Sequence, residues 1–257
     1  MFIYVIAFII GSVIGSFLNV CIYRLPRNLS IVFPASRCPS CNTPIRPLDN
    51  IPILSYFLLG GKCRVCRAKI AFRYPLVEFL NAALYVLVVL RYGTGWDTLI
   101  YCIFSSTLVV ITFIDLDFQI IPDRITLPGI PIGLVAGAFF LPDPFMRYSD
   151  LGLKASVIGF IAGGGLFYLV ATVSRGGMGG GDIKMMAMVG ALTGWKSVLL
   201  TTFLGSLSGS LVGIFLMIFK GKGRKTKIPF GPFLALGALL TLFFGQEILS
   251  WYLGDKT

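Results

Sequence analysis

The sequence predicts an all-α protein that crosses a membrane about eight times and carries a small cysteine-rich insertion between its first two spans. Of its 257 residues, 56% are hydrophobic and only 13% are charged, and the mean hydropathy is +0.87. These values lie far outside the range of soluble globular proteins. The apolar residues gather into runs that are mostly long enough to cross a bilayer as helices. Four of the six cysteines form two C-x-x-C pairs within the only long polar segment.

The first apolar run covers residues 2–22 and is long enough to span a bilayer. No basic residue precedes it, whereas Arg24 and Arg27 follow it, so we expect a retained span with its N-terminus outside the cytoplasm. Gly11, Gly15 and Ser16 form a small-residue face, which predicts close packing against another helix.

Residues 24–73 form the polar insertion, and they contain Cys38, Cys41, Cys63 and Cys66. Two C-x-x-C pairs at this separation can place four thiolates tetrahedrally around zinc. A segment of about 50 residues is too short for a stable core of its own, and a bound metal would stabilise it. Two disulfides in an exported loop are the alternative. The many Lys and Arg residues favour a cytoplasmic loop, where thiols stay reduced.

The rest of the chain alternates between apolar runs and short polar turns. The remaining predicted spans are residues 74–90, 99–117, 124–141, 151–173, 183–195, 197–219 and 231–252. Small-residue faces at Gly159 and Gly163, and at Gly205, Gly209 and Gly213, predict further helix packing. With the N-terminus outside, this alternation places most of the 22 Lys and Arg residues in cytoplasmic loops, including the loop 220–227. Membrane topology therefore explains the net charge of +11 better than nucleic-acid binding does.

The chain contains no histidine. This excludes Ser-His-Asp and Cys-His nucleophile systems and the H-E-x-x-H zinc peptidases. The candidate catalytic groups are instead carboxylates at the cytoplasmic ends of predicted spans. Asp182 ends the glycine run that starts at Gly176, and an upstream acidic cluster contains Asp115, Asp117 and Asp123.

The glycine run before Asp182 leaves room for an extended peptide backbone to approach that carboxylate. A simple turn in which Asp182 caps a helix beginning at Ile183 is the alternative. Two neighbouring aspartates cannot both ionise easily, so one keeps a proton while the other activates water for attack on a peptide carbonyl. Such a pair predicts an aspartyl peptidase that needs neither histidine nor a catalytic metal.

The sequence resembles the type IV prepilin peptidases, a branch of the membrane aspartyl proteases with a G-x-G-D motif. The resemblance covers nearly the whole chain in order. The matching segments are Gly15–Val20, Tyr23–Pro26, Cys38–Cys41, Asp49–Pro52, Gly61–Cys66, Arg73–Glu78, Asp115–Asp117, Ile121–Asp123, Gly179–Asp182 and Pro229–Pro232.

The resemblance implies a bifunctional enzyme of the bacterial inner membrane that serves type IV pili or type II secretion. It would remove the leader peptide of prepilins or pseudopilins at the cytoplasmic face and methylate the new N-terminus with S-adenosylmethionine. By motif, Asp115 and Asp182 are the catalytic pair. Asp117, Asp123, Gly179 and Gly181 support them, and the four paired cysteines bind structural zinc.

The resemblance also implies three parts, namely a first transmembrane helix at 1–23, a zinc-binding domain at 24–73 and a peptidase core at 74–257. No glycine-rich nucleotide fingerprint is present, so the site of the methyl donor is unknown from sequence. We expect the zinc loop and its polar neighbours to shape that site, with Glu78 either taking part or pairing with Arg73.

Two other functions remain open at this point. The first is a G-x-G-D peptidase that does not methylate its product. The second is a transporter with a zinc module, for which Pro128 and Pro131 in the fourth span would supply helix breaks.

Overall fold

The computed structural model describes residues 2–174, 177–220 and 228–254. Gly176 of the glycine run and residues 221–227 of the basic loop lie outside the described residues. The chain divides into two compact units, residues 1–110 and 111–257.

The first unit is helical apart from the cysteine-rich segment. Its long helices are α1 (Phe2–Arg24), α3 (Arg73–Tyr92) and the larger part of α4 (Trp96–Phe118), and a short helix α2 (Leu54–Leu58) precedes α3. Two single-turn 3-10 helices cover Leu25–Arg27 and Pro47–Asn50. The apolar stretch 50–61 contains only the five-residue helix α2, which is too short to cross a membrane.

The small-residue face of α1 packs against α3. A Cβ atom on Gly11 would lie 2.7 Å from the Cα atom of Ala82, and one on Gly15 would lie 2.7 Å from the Cα atom of Glu78. The Asn81 amide, which is fully buried, donates to the Gly11 carbonyl at 2.7 Å. The predicted role of this face in helix packing is confirmed, because only glycine allows the two backbones to approach so closely.

The second unit contains the end of α4 and four further helices. These are α5 (Asp123–Phe139), α6 (Gly152–Val173), α7 (Gly180–Lys220) and α8 (Gly231–Leu253). A short antiparallel hairpin of β1 (Pro142–Asp143) and β2 (Met146–Asp150) joins α5 to α6. This hairpin was not predicted from the sequence. Helix α5 continues through Pro128 and Pro131.

Helix α7 turns sharply at Gly194, whose backbone is non-helical with φ 81° and ψ 172°. A Cβ atom on Gly190 would lie 2.9 Å from Cγ2 of Val198. Residues eight apart in a straight helix are separated by about 12 Å along its axis. The two helical halves therefore fold back toward each other, and they correspond to the predicted spans 183–195 and 197–219.

The other small-residue faces also lie at helix contacts. Gly159 and Gly163 of α6 pack against the backbone of the first half of α7, at Gly190 and Met186. On the second half of α7, Gly205 packs against Leu234 of α8. The packing role predicted for these glycines is confirmed.

Within the described residues, six helices are long and apolar enough to cross a membrane. They are Phe2–Arg27, Arg73–Tyr92, Trp96–Phe118, Gly152–Val173, Gly180–Phe219 and Gly231–Tyr252. This set leaves out the 17-residue helix α5 and counts both halves of α7 as one helix. The protein is thus a mainly helical membrane protein with a cluster of four cysteines, as predicted.

Candidate active site and cysteine cluster

Asp115 lies in the last turn of α4, where its side chain is buried with only 5% of the residue exposed. The backbone N–H of Gly231, the first residue of α8, donates a hydrogen bond to Asp115 Oδ2 at 2.9 Å. A Cβ atom at position 231 would lie 2.7 Å from the same oxygen. Glycine is therefore required at this position for the close approach of the carboxylate.

Asp182 lies in the first turn of α7, which begins at Gly180. Its half-buried carboxylate accepts a hydrogen bond from the backbone N–H of Gly179. An acid in the first turn that reaches back to a preceding N–H satisfies a helix-end donor. The alternative in which Asp182 caps a helix beginning at Ile183 is wrong in detail, because the helix begins three residues earlier.

The structure brings Asp115 and Asp182 into one site, where the two carboxylates interact electrostatically. The side chain of Ile121 fills the space beside them. A Cβ atom on Gly181 would lie 2.8 Å from Cβ of Ile121, and one on Gly231 would lie 3.3 Å from its Cδ1. The turn after α4 is thus packed against the starts of both α7 and α8.

Asp117 and Asp123 lie near this pair but in different surroundings. Asp117 is exposed, one residue from the end of α4. Asp123 is the first residue of α5, and both of its oxygens accept hydrogen bonds from Lys184 Nζ at 2.7 Å. Asp123 therefore ties the start of α5 to the start of α7. Gln119 has a positive φ of 54° and directs the chain out of α4.

Sequence reasoning gave no role to three residues of this site, namely Ile121, Lys184 and Gly231. Gly231 belongs to the Pro229–Pro232 segment of the resemblance, and a glycine before a proline at a helix start was the available signal. The partners of Ile121 and Lys184 lie on other helices. No local pattern identifies such contacts.

The four paired cysteines form a single cluster in the first unit. The sulfur atoms of Cys38, Cys41, Cys63 and Cys66 all lie within 4.8 Å of one another. The Cys38 and Cys66 sulfurs are 3.8 Å apart, and all four thiols are free. A disulfide requires about 2.05 Å, so the disulfide alternative does not describe this arrangement.

The two C-x-x-C segments have the same local structure. In the first segment, the Cys38 N–H donates to the carbonyl of Thr43, and the Asn42 N–H donates to the carbonyl of Cys38. In the second, the Cys63 N–H donates to the carbonyl of Ala68, and the Arg67 N–H donates to the carbonyl of Cys63. Asn42 and Arg67 both have positive φ, at 56° and 59°. Each segment is therefore a tight knuckle that holds its two sulfurs on one side.

Hydrogen bonds to sulfur favour the thiolate form of two of these cysteines. The Thr43 hydroxyl lowers the pKa of Cys41 to about 6. Backbone N–H groups of Cys66 and Val65 lower the pKa of Cys63. Arg64 of the second knuckle donates to both oxygens of Asp49, in the segment before α2, and lowers the pKa of that carboxyl.

Comparison with known proteins identifies the family. A family model described as the bacterial peptidase A24 N-terminal domain matches residues 9–92, and one described as the type IV leader peptidase family matches residues 102–214. Proteins named prepilin leader peptidase/N-methyltransferase are similar over nearly the whole chain. The relative from Aeromonas hydrophila is 37% identical over 273 residues, covering 96% of this chain and 93% of its own length.

The relative from Pseudomonas aeruginosa is 36% identical, covering 95% of this chain and 91% of its own length, and the one from Bacillus subtilis is 33% identical, covering 96% and 97%. The chain belongs to the type IV leader peptidase family. No solved structure matches it. The predicted resemblance is thus confirmed. In this family member the two matched regions correspond closely to the two compact units, with the cysteine cluster in the first and the aspartate pair in the second.

Proposed function

We propose that this enzyme cleaves the leader peptide of type IV prepilins or pseudopilins with Asp115 and Asp182 and methylates the new N-terminal residue. The observation that carries the proposal is that two carboxylates from different helices interact electrostatically and lie on either side of Ile121, which packs against Gly181 and Gly231. The names of the relatives give the substrate class and the second activity.

The peptidase step uses the unequal protonation of the pair. One aspartate is ionised and takes a proton from a water molecule, which attacks the scissile carbonyl. The protonated partner gives its proton to the carbonyl oxygen. As the intermediate collapses, the first aspartate passes the proton taken from water to the leaving amine, and the partner regains its own proton. Asp115 is a better candidate than Asp117 for this pair, because Asp115 is buried and accepts a hydrogen bond from Gly231 N–H, whereas Asp117 is exposed.

Backbone groups fix both carboxylates before substrate binds. Gly231 N–H holds one oxygen of Asp115, and Gly179 N–H holds Asp182. Gly181 lets Ile121 lie against the start of α7. These contacts support the proposed roles of Gly179 and Gly181, and the ion pair with Lys184 supports that of Asp123, because catalytic groups must be held within a fraction of an ångström of their working geometry.

Cys38, Cys41, Cys63 and Cys66 would bind a structural zinc ion. Their thiol-only donor set is typical of closed zinc sites. A tetrahedral site with Zn–S distances of about 2.3 Å places its sulfurs about 3.8 Å apart, and the Cys38–Cys66 distance is 3.8 Å. The ion would hold the two knuckles together, and the peptidase step does not pass through it.

The proposed topology has eight spans in the bacterial inner membrane, with the N-terminus outside. The turn at Gly194 supports counting α7 as two spans, and α5 supplies another. The proposed peptidase and methyltransferase sites then both face the cytoplasm, consistent with the excess of Lys and Arg in the loops on that side. The proposal also divides the chain into a first transmembrane helix at 1–23, a zinc-binding domain at 24–73 and a peptidase core at 74–257.

The alternatives are a peptidase without methyltransferase activity and a transporter. The names of the relatives favour methylation, and S-adenosylmethionine would supply the methyl group. A transporter would place its acids at broken helices near the bilayer midplane. Here Asp115 and Asp182 lie at helix ends, and α5 is continuous through its two prolines.

Mass spectrometry of a co-expressed prepilin tests both activities at once. We expect the product to lack its leader and to gain the mass of one methyl group. Loss of the leader without methylation would support the peptidase-only alternative. An intact prepilin beside well-expressed enzyme would contradict the proposed substrate.

A further inference from the structure

A cavity of about 320 Å³ lies in the first unit between α1 and the segments that flank the first cysteine knuckle. Its inner wall is the second half of α1, from Val13 to Arg24. Its outer wall is formed by residues 31, 32 and 34–36 together with Asn50 and Pro52. Its volume lies within the range of small-ligand sites, roughly 300–1,000 Å³. The peptidase mechanism does not use it.

One end of the cavity carries a fixed positive charge. Arg24 donates to the carbonyl of Ser30 at 2.9 Å and to that of Pro34 at 2.6 Å. These bonds fasten the outer wall to α1 and use two of the five N–H donors of a guanidinium group. Arg24 also lines the cavity, so a carboxylate there can pair with its other donors.

The other end has a buried acid behind it. Ser16 lines the cavity, and its hydroxyl hydrogen-bonds to the carboxyl group of Glu78, which is only 8% exposed. Glu78 also accepts a hydrogen bond from Ile53 N–H at 2.7 Å. Ser16 and Arg24 are eight residues apart on α1, a separation of about 12 Å along the helix.

The backbone at Ile53 shows that this end is held under strain. Ile53 has φ 63° and ψ −55°, a conformation that a β-branched residue rarely adopts. Such strain persists only where the surroundings enforce it, and it is concentrated at functional sites. Glu78 fixes this residue directly after Pro52, which lines the cavity.

We infer that this cavity binds S-adenosylmethionine, an inference that rests on the proposed methyltransferase activity. The donor carries a carboxylate, an ammonium group and a sulfonium, joined to an aromatic base. Arg24 matches the carboxylate, and an ionised Glu78 behind Ser16 would favour the cationic part. The apolar wall, which includes the aromatic ring of Phe17, suits the base.

The test measures binding to the purified full-length enzyme in lipid nanodiscs by isothermal titration calorimetry. S-adenosylhomocysteine is the first probe, because it keeps the carboxylate and cannot react. We expect Arg24→Gln to weaken its binding at least about tenfold and Arg24→Lys to restore most of it. Arg27→Gln is the matched control, because Arg27 stacks on Tyr23 outside the cavity lining, and its binding constant should match that of the unaltered enzyme.

A second probe separates the role of Glu78 from a purely structural one. Sinefungin carries a protonated amine where S-adenosylhomocysteine has a neutral sulfur. Glu78→Gln keeps an acceptor for Ile53 N–H and removes the charge, so it should reduce the preference for sinefungin about tenfold. A structural defect would weaken both probes equally and would contradict the assigned role of Glu78.

Equal binding by Arg24→Gln and the unaltered enzyme would overturn the cavity assignment and leave the proposed function intact. If the Arg24→Gln variant is unstable by thermal unfolding, Val20→Trp replaces it, because Val20 lines the cavity and a larger side chain there would fill it. Binding by Val20→Trp equal to that of the unaltered enzyme would then overturn the assignment. A different result addresses the proposed function itself. An unaltered enzyme that cleaves prepilin but neither binds either probe nor methylates its product would refute the methyltransferase activity, and the cavity assignment with it.

Discussion

The cysteine cluster and the aspartate pair are built in different ways. In the cluster, each knuckle makes its own hydrogen bonds within a few residues, and the two knuckles repeat one design. In the aspartate site, Asp115 takes its hydrogen bond from Gly231, which is 116 residues away in the chain. The first site is therefore encoded locally, whereas the second exists only after several helices have packed.

This difference predicts different responses to substitution. A cluster held by four equivalent ligands fails as a unit when one knuckle is removed. A site assembled from helix ends can lose activity through small displacements that leave the fold intact.

Substitution of either aspartate of the proposed catalytic pair should have the largest effect. Asp115→Ala or Asp182→Ala is expected to lower leader cleavage at least about a thousandfold, because each aspartate needs the other for proton transfer. The rate of leader cleavage is measured by mass spectrometry of prepilin reconstituted with each variant. Asp117→Ala is the comparison on the same helix, and we expect it to lose less than about tenfold. Normal cleavage by either alanine variant would remove that residue from the pair.

Removal of one cysteine knuckle should abolish metal binding. Metal analysis of the purified protein is expected to give about one zinc per chain, and the Cys38→Ser, Cys41→Ser double variant should contain none. Cys21→Ser and Cys102→Ser are matched controls, since these cysteines are buried in helices away from the cluster. A metal-free unaltered protein, or a double variant that keeps its zinc, would show that the four thiols have another role.

Gly231→Ala should impair catalysis without unfolding the protein. The new Cβ atom would displace the Asp115 carboxylate, and a displacement of about 1 Å can cost roughly a hundredfold in rate. We expect a lower kcat with little change in KM. Gly165→Ala is the control, because a Cβ atom at that position on α6 would have no atom within 4 Å. Equal kcat values for the two variants would show that the Gly231 contact does not position Asp115.

The ion pair between Asp123 and Lys184 should contribute least. Both side chains are substantially exposed, at 54% and 37%, so we expect a coupling free energy below about 1 kcal/mol. A double-mutant cycle with Asp123→Asn and Lys184→Met, scored by thermal unfolding and by kcat, measures it. A coupling of several kcal/mol would mean that this pair, rather than helix packing, joins α5 to α7.

Much of the fold was predictable, because membrane helices leave a strong apolar signal. The predicted runs match the observed helices, although α7 begins at Gly180 rather than at residue 183. The glycine faces of α1, α6 and α7 were also predicted correctly. The short hairpin at 142–150 was missed, because a loop this brief has no periodic pattern to identify it.

The candidate site was predictable in its main residues and not in its supporting contacts. Carboxylates at the ends of apolar runs are costly and therefore conspicuous in the sequence. Ile121, Lys184 and Gly231 are ordinary residue types whose importance comes from neighbours on other helices. The cavity beside α1 was equally hidden, because it depends on how residues 31–36 fold back over Arg24.

The membrane class, the cysteine knuckles and the set of acids available for catalysis can be read from the sequence, since each depends on composition or on spacing within a few residues. Three features arise from helix packing instead: Asp115 rather than Asp117 faces Gly231, α7 reverses at Gly194, and Glu78 holds the strained Ile53. The physical reason is that these features depend on side chains and backbones that meet across helices, and the distance between two such groups is set by packing and is not encoded in either segment alone.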